Sequence, residues 1–64
     1  MASPIFSILI CTARGDLIET KRMSYDRARR AYDSLEPNRD GCLARVELHQ
    51  RGAAIFKKER KLGA

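Results

Sequence analysis

The chain has 64 residues, with 13 Lys and Arg against 8 Asp and Glu, so its formal net charge is +5, and 44% of its residues are hydrophobic. This length allows one small domain, residues 1–64, and the apolar fraction argues against wholesale disorder and collagen-like repeats. A membrane-spanning helix needs about 20 mainly apolar residues. No apolar run here approaches that length, and we expect no membrane span.

The first half of the chain predicts a β-hairpin followed by a helix. Residues 4–14 are rich in β-branched side chains and predict a strand, Gly15 and Asp16 predict a turn, and residues 17–22 a return strand. Ser24 is a good N-cap for a helix over residues 25–36. Its apolar residues recur at the spacing of one helical face, at Tyr25, Ala28, Ala31, Tyr32 and Leu35.

The second half predicts another hairpin. Apolar and polar residues alternate over residues 42–50, Arg51-Gly52 predicts a turn, and residues 53–59 a fourth strand. The fold class is therefore α+β, with the order ββαββ and a four-stranded antiparallel sheet carrying one helix on one face. Two cysteines in such a chain favour reduced thiols that pack as small hydrophobes in strands, Cys11 and Cys42, and we expect a cytoplasmic protein.

A weak internal repeat aligns the two hairpins. Arg14-Gly15-x-x-Ile18-x-x-Lys21 matches Arg51-Gly52-x-x-Ile55-x-x-Lys58 at an offset of 37 residues. This alignment places Leu9 and Cys11 with Val46 and Leu48 on the face under the helix. The opposite face of the first strand would then be apolar too, and would carry Phe6, Ile8 and Ile10.

An apolar patch on a sheet face without a helix is typical of a protein interface. Phe6, Ile8 and Ile10 are therefore the predicted contact surface, either for a second copy of the chain or for another protein. The alternative is that the C-terminal tail folds over this face and covers it with Leu62.

Positive charge is concentrated near the C-terminus. Residues 51–64 hold five Lys and Arg against Glu59, whereas residues 1–50 are nearly balanced. A basic segment of this kind can contact nucleic-acid phosphates or can guard the last strand against aggregation. The alternative nucleic-acid site consists of Lys57, Lys58, Arg60, Lys61, Arg27 and Arg30.

Residues 36–47 resemble an EF-hand loop. Glu36, Asn38, Asp40 and Glu47 stand at loop positions 1, 3, 5 and 12, and Gly41 stands at the sharp turn. Oxygen ligands at this spacing suit Ca²⁺, which gives a second alternative function. Pro37 and the alternating pattern after Gly41 favour a helix-to-strand turn instead.

Catalytic patterns are sparse. His49 is the only histidine, no nucleophile lies near it in sequence, and the glycine patterns of nucleotide-binding loops are absent. We therefore expect no enzyme activity and no cofactor.

The hairpin, helix, hairpin order, with its local patterns, resembles that of short, mostly uncharacterised bacteriophage and prophage proteins. The resemblance depends on Gly15-Asp16-Leu17-Ile18-Glu19-Thr20-Lys21, Tyr25-x-x-Ala28-x-x-Ala31-Tyr32-x-x-Leu35 and Ala44-Arg45-Val46-Glu47-Leu48-x-x-Arg51-Gly52. It implies a viral accessory protein that binds and modulates a host protein. Together with the apolar first strand, it predicts a small interaction module that binds a host protein, forms a homodimer, or does both.

Overall fold

The computed structural model describes residues 4–37 and 41–60. Its elements are strand β1 (Phe6–Thr12), strand β2 (Leu17–Glu19), helix α1 (Tyr25–Ser34), strand β3 (Leu43–Gln50) and strand β4 (Ala53–Glu59). The strands form one antiparallel sheet in the order β2-β1-β3-β4. The predicted ββαββ fold is confirmed, with β1, β2 and α1 shorter than the sequence suggested.

The two hairpins turn in different ways. In the first, the N–H of Thr12 donates to the carbonyl of Asp16 at 2.9 Å, which leaves a three-residue loop. Gly15 in that loop has φ 95°, the left-handed conformation that glycine adopts without steric cost. In the second, Arg51 and Gly52 have φ 52° and 85°, as in a two-residue type I′ turn.

Strand β2 is short because, after Glu19, the hydroxyl of Thr20 accepts the next N–H of β1 where a backbone carbonyl would do so in a regular ladder. The hydroxyl of Thr20 accepts the N–H of Ile8 at 3.0 Å, and the N–H of Thr20 donates to the Ile8 carbonyl at 2.9 Å. Backbone pairing resumes only at Met23, which exchanges two hydrogen bonds with Phe6. Thr20 thus satisfies a donor of β1 where the neighbouring strand leaves the sheet.

Helix α1 begins at a side-chain cap and ends before a proline. The Ser24 hydroxyl accepts the N–H of Arg27 at 3.5 Å, a long capping contact. Leu35 is already extended, with ψ 117°, and Glu36 precedes Pro37, a position that disfavours helical backbone. This explains why the helix ends at Ser34 and not at residue 36 as predicted.

The core lies between α1 and the two central strands. Five side chains form it, namely Ile8, Ala28, Tyr32, Val46 and Leu48. Phe6 and Ile10 are partly buried and pack against this cluster. In the sheet, Ile8 pairs with Leu48 and Ile10 with Val46, so these side chains share the face under the helix.

The predicted assignment of strand faces was therefore wrong. Phe6, Ile8 and Ile10 lie under the helix, while Leu9 and Cys11 pair with Glu47 and Arg45 on the other face. The reason is the loop length. The first hairpin loop has three residues and the second has two, so the 37-residue repeat aligns side chains that point to opposite faces.

The cysteines also differ from each other. Both are free, Cys11 is buried in β1, and Cys42 is exposed just before β3, so only Cys11 packs as the sequence predicted. In the part of the chain that the structure describes, no helix has the length and apolar character needed to span a membrane.

Candidate interaction surface

Strand β4 is the longer of the two edge strands of the sheet; the other, β2, has only three residues, all of them exposed. Strand β4 hydrogen-bonds to β3 on its inner side, and has no strand on its outer side among residues 4–37 and 41–60. The helix packs over β1 and β3 and leaves β4 largely uncovered. Six of its seven residues are exposed, including Ile55 and Phe56, each at 40%. An exposed edge strand with apolar residues is a surface onto which another chain can add a strand.

The orientation of the β4 backbone follows from one hydrogen bond. The N–H of Arg60 donates to the carbonyl of Ala44 in the segment leading into β3, at 2.9 Å. In an antiparallel ladder, alternate residues direct both backbone polar groups to the same neighbour. Lys58 therefore faces β3, whereas Lys57 and Glu59 direct their N–H and C=O groups away from the sheet.

A β-bulge limits the regular part of this edge. Leu48 pairs with Phe56 but His49 pairs with Ala54, so Ile55 is the extra residue on β4. A bulge bends its strand and interrupts the ladder locally. The segment from Phe56 to Arg60 is therefore the stretch with regular strand geometry, and a partner would pair there.

The side chains of β4 alternate between the two faces of the sheet. Phe56 stands beside Leu48 on the helix side, and Lys57 stands beside Glu47 on the other side. The guanidinium of Arg29 lies 4.6 Å from the centre of the Phe56 ring, a cation–π contact that shields part of it. Phe56 nevertheless remains 40% exposed.

Lys58 joins β4 to the end of the helix. Its Nζ donates to the Tyr32 carbonyl at 2.6 Å and to the Glu36 carboxylate at 3.2 Å, and it lies 4.4 Å from the centre of the Tyr32 ring. The last turn of α1 contains no basic residue of its own, so Lys58 supplies the positive charge that a helix C-terminus favours. Burial of Tyr32 raises the pKa of its phenol, and the nearby charge of Arg29 offsets part of this rise.

The sheet face without the helix carries a polar network. Arg45 lies 2.9 Å from the Cys11 Sγ and 2.7 Å from Glu47 Oε2, and His49 Nε2 lies 2.8 Å from Glu47 Oε1. The contact of Arg45 Nε with Glu47 is an ion pair whose N–H is poorly aligned for a hydrogen bond. The polar side chains on this face bond mainly to one another. The network therefore covers the sheet and does not form an open site.

The structure separates the residues of the predicted nucleic-acid site. Lys58 is engaged by the helix terminus, Lys57 projects from the other face of the sheet, and Lys61 lies outside the described residues. Arg27 and Arg30 are exposed on α1. Among the described cations, Lys57 and Lys58 thus lie on opposite faces of the sheet, and nucleic-acid binding stays a prediction.

The two described residues of the EF-hand-like set, Glu36 and Glu47, are not brought together. Glu36 contacts Lys58 on the helix side, whereas Glu47 lies in the polar network on the opposite face. The segment after the loop is a strand where an EF-hand has a helix. Asn38 and Asp40 lie outside the described residues. Among the described ones, no three His, Cys, Asp or Glu side chains cluster as metal ligands would.

The sequence predicts β4 as a strand whose basic residues can guard a sheet edge against aggregation, and does not single it out as a contact surface. Edge position depends on which strand lies beside β1 in the centre, and that depends on how the helix returns the chain to the sheet. The signal available in the sequence is the concentration of lysine and arginine in residues 51–61, because charged residues are common on sheet edges.

Comparisons with protein-family models, curated proteins and solved structures found no match to this chain. Its function is therefore inferred from the geometry of the described residues.

Proposed function

We propose that this chain is a small, non-enzymatic protein-interaction module that binds an extended segment of another protein along the outer edge of β4. The supporting observation is that β4 is a seven-residue edge strand in which Lys57 and Glu59 direct their backbone groups outward, next to two exposed apolar side chains, Ile55 and Phe56. Strand addition suits such an edge, because backbone hydrogen bonds supply affinity and alternate side chains supply specificity.

This surface replaces the one predicted from the sequence. Phe6, Ile8 and Ile10 face the helix and contribute to or pack against the core, so the helix-free apolar face that favoured them as contact residues is not present. The broader role stays as the resemblance implies: an accessory protein of bacteriophage type, acting in the host cytoplasm by binding a host protein.

Selection from a library of displayed random nonapeptides tests this proposal. The bait is the whole chain in three forms, namely wild type, Lys57→Pro and Lys57→Ala. Proline removes the outward N–H of Lys57 and leaves the bonds to β3 in place, because proline is tolerated on the open side of an edge strand. Alanine removes the same charge and keeps the N–H, so it is the matched control.

We expect wild type and Lys57→Ala to enrich peptides of high β-propensity, and Lys57→Pro to enrich them poorly. Backbone amide spectra of the three forms check that each is folded. If wild type enriches no peptide, or if Lys57→Pro enriches the same peptides equally well, the β4 edge is not a binding site and the proposal is wrong.

A further inference from the structure

We infer that the segment bound by β4 alternates acidic and apolar residues; this inference depends on the proposed strand addition and names the chemistry of the partner. It follows from the charge on the edge and from the two faces between which an added strand would lie.

The charge around β4 is positive. Residues 51–60 hold four Lys and Arg against Glu59, a balance of +3, within a chain of net charge +5. Lys58 is partly neutralised by Glu36 on the helix side.

Glu47, the cross-strand neighbour of Lys57, is engaged by Arg45 and His49. Among the described residues Lys57 forms an ion pair with Glu59, at 3.6 Å and with both side chains more than half exposed, which makes that pair weak. Lys57 is therefore available to a carboxylate on an added strand.

The two faces of an added strand would meet different neighbours. On the helix-free face it would lie beside Lys57 and Glu59, and Glu59 already stands opposite Arg45 of β3. On the helix face it would lie beside Phe56, which is 40% exposed, with Arg60 at the end of the regular edge segment. Cross-strand pairs of opposite charge and of apolar with aromatic side chains each stabilise a sheet. An acidic residue opposite Lys57 and an apolar residue opposite Phe56 match this edge.

A second copy of the chain would meet charge repulsion at this edge. Antiparallel pairing of two β4 strands about Lys57 would set Lys57 opposite its own counterpart, and like charges directly opposite each other destabilise a sheet. Pairing about Lys58 would instead set Lys57 opposite Glu59 of the second copy, but each copy carries a net charge of +5, which opposes association at low salt. An acidic strand from a different protein avoids this repulsion.

Three synthetic peptides of identical length test the inference by titration against the whole chain. The first alternates Glu and Val, the second has Gln in place of every Glu, and the third has Lys in place of every Glu. We expect the Glu–Val peptide to bind most tightly, the Gln–Val peptide more weakly, and the Lys–Val peptide least. Added salt should reduce the difference in affinity between the Glu–Val and Gln–Val peptides, because exposed charges are screened.

Variants of Lys57 separate the contribution of its charge to peptide affinity from the contribution of its backbone N–H. Lys57→Ala should weaken Glu–Val binding by about fivefold and leave Gln–Val binding nearly unchanged. Lys57→Pro should weaken both peptides, by about fivefold beyond the alanine variant. Arg27→Ala, which removes a helix arginine outside β4, is the control for net charge and should change neither affinity.

Equal affinity for the Glu–Val and Gln–Val peptides, with both lost in Lys57→Pro, would overturn the acidic partner and keep strand addition. Binding of none of the peptides, together with a failed library selection, would overturn both proposals. Light scattering that shows a dimer abolished by Lys57→Pro but not by Lys57→Ala would mean that a second copy covers this edge, which also contradicts the inference.

Discussion

At the scale of single residues, the contributions of Thr20, at the margin of the sheet, and Arg51, in the second hairpin turn, to the stability of the fold can be measured. Thr20 replaces a backbone acceptor with its hydroxyl, and Arg51 occupies left-handed backbone at the tip of the second hairpin. The sequence indicated the turn at Arg51-Gly52 but not the role of Thr20. A side-chain acceptor inside a ladder becomes visible only when the strand register is known.

Thr20→Val should destabilise the fold. Valine keeps the shape of threonine but removes the oxygen that accepts the Ile8 N–H, and a partly buried donor without a partner costs about 1–2 kcal/mol. Thr20→Ser keeps the hydroxyl and should lower the free energy of unfolding by less. Urea unfolding of the three proteins measures the free energies of unfolding. Equal losses for valine and serine would contradict a hydrogen-bonding role.

Arg51→Gly should stabilise the fold, because arginine at φ 52° is in a conformation that side chains other than Asn and Asp rarely adopt. We expect a gain of about 0.5–1 kcal/mol, and a higher melting temperature. Arg51→Ala also removes the charge but keeps the Cβ, so it should gain little. A melting temperature that rises equally in both variants would point to charge and not to backbone strain.

At the scale of elements, the helix depends on a residue distant in sequence for its C-terminal charge. Lys58, on β4, bonds to the Tyr32 carbonyl and to Glu36. The periodicity of α1 predicted its apolar face correctly from Ala28, Ala31, Tyr32 and Leu35. It could not predict the end of the helix, because that depends on the extended backbone before Pro37 and on a lysine from another strand.

Lys58→Met should lower the free energy of unfolding by about 1–2 kcal/mol, because methionine retains the apolar stem but loses the charged donor to the helix terminus. Lys57→Met is the matched control on the adjacent, more exposed residue and should change stability by less than about 0.5 kcal/mol. Chemical denaturation of both variants gives the comparison. Equal effects would mean that Lys58 contributes through general charge alone.

At the scale of the whole molecule, the fold class was predictable from the sequence and the faces of the sheet were not. Alternation and turn residues were enough to order the strands along the chain and to place one helix between two hairpins. The inner and outer faces of β1 were exchanged because one extra loop residue in the first hairpin reverses side-chain direction relative to the second. The surface proposed for binding is therefore the edge strand β4 and not β1.

Two alanine variants distinguish the faces of β1. Ile8→Ala should lower the free energy of unfolding by about 3 kcal/mol, since Ile8 is fully buried beneath the helix. Leu9→Ala, on the half-buried opposite face, should cost clearly less. Thermal or urea unfolding provides the measurement. If Leu9→Ala were the more damaging variant, the face assignment of the structure would be wrong.

Amide hydrogen exchange with and without the Glu–Val peptide is the most direct test of strand addition at β4. We predict that the peptide slows exchange at Lys57 and Glu59, whose N–H groups face outward, and leaves Lys58, which already faces β3, little changed. Unchanged exchange at Lys57 and Glu59 when the peptide is saturating, or protection confined to residues of β2 or α1, would contradict the account.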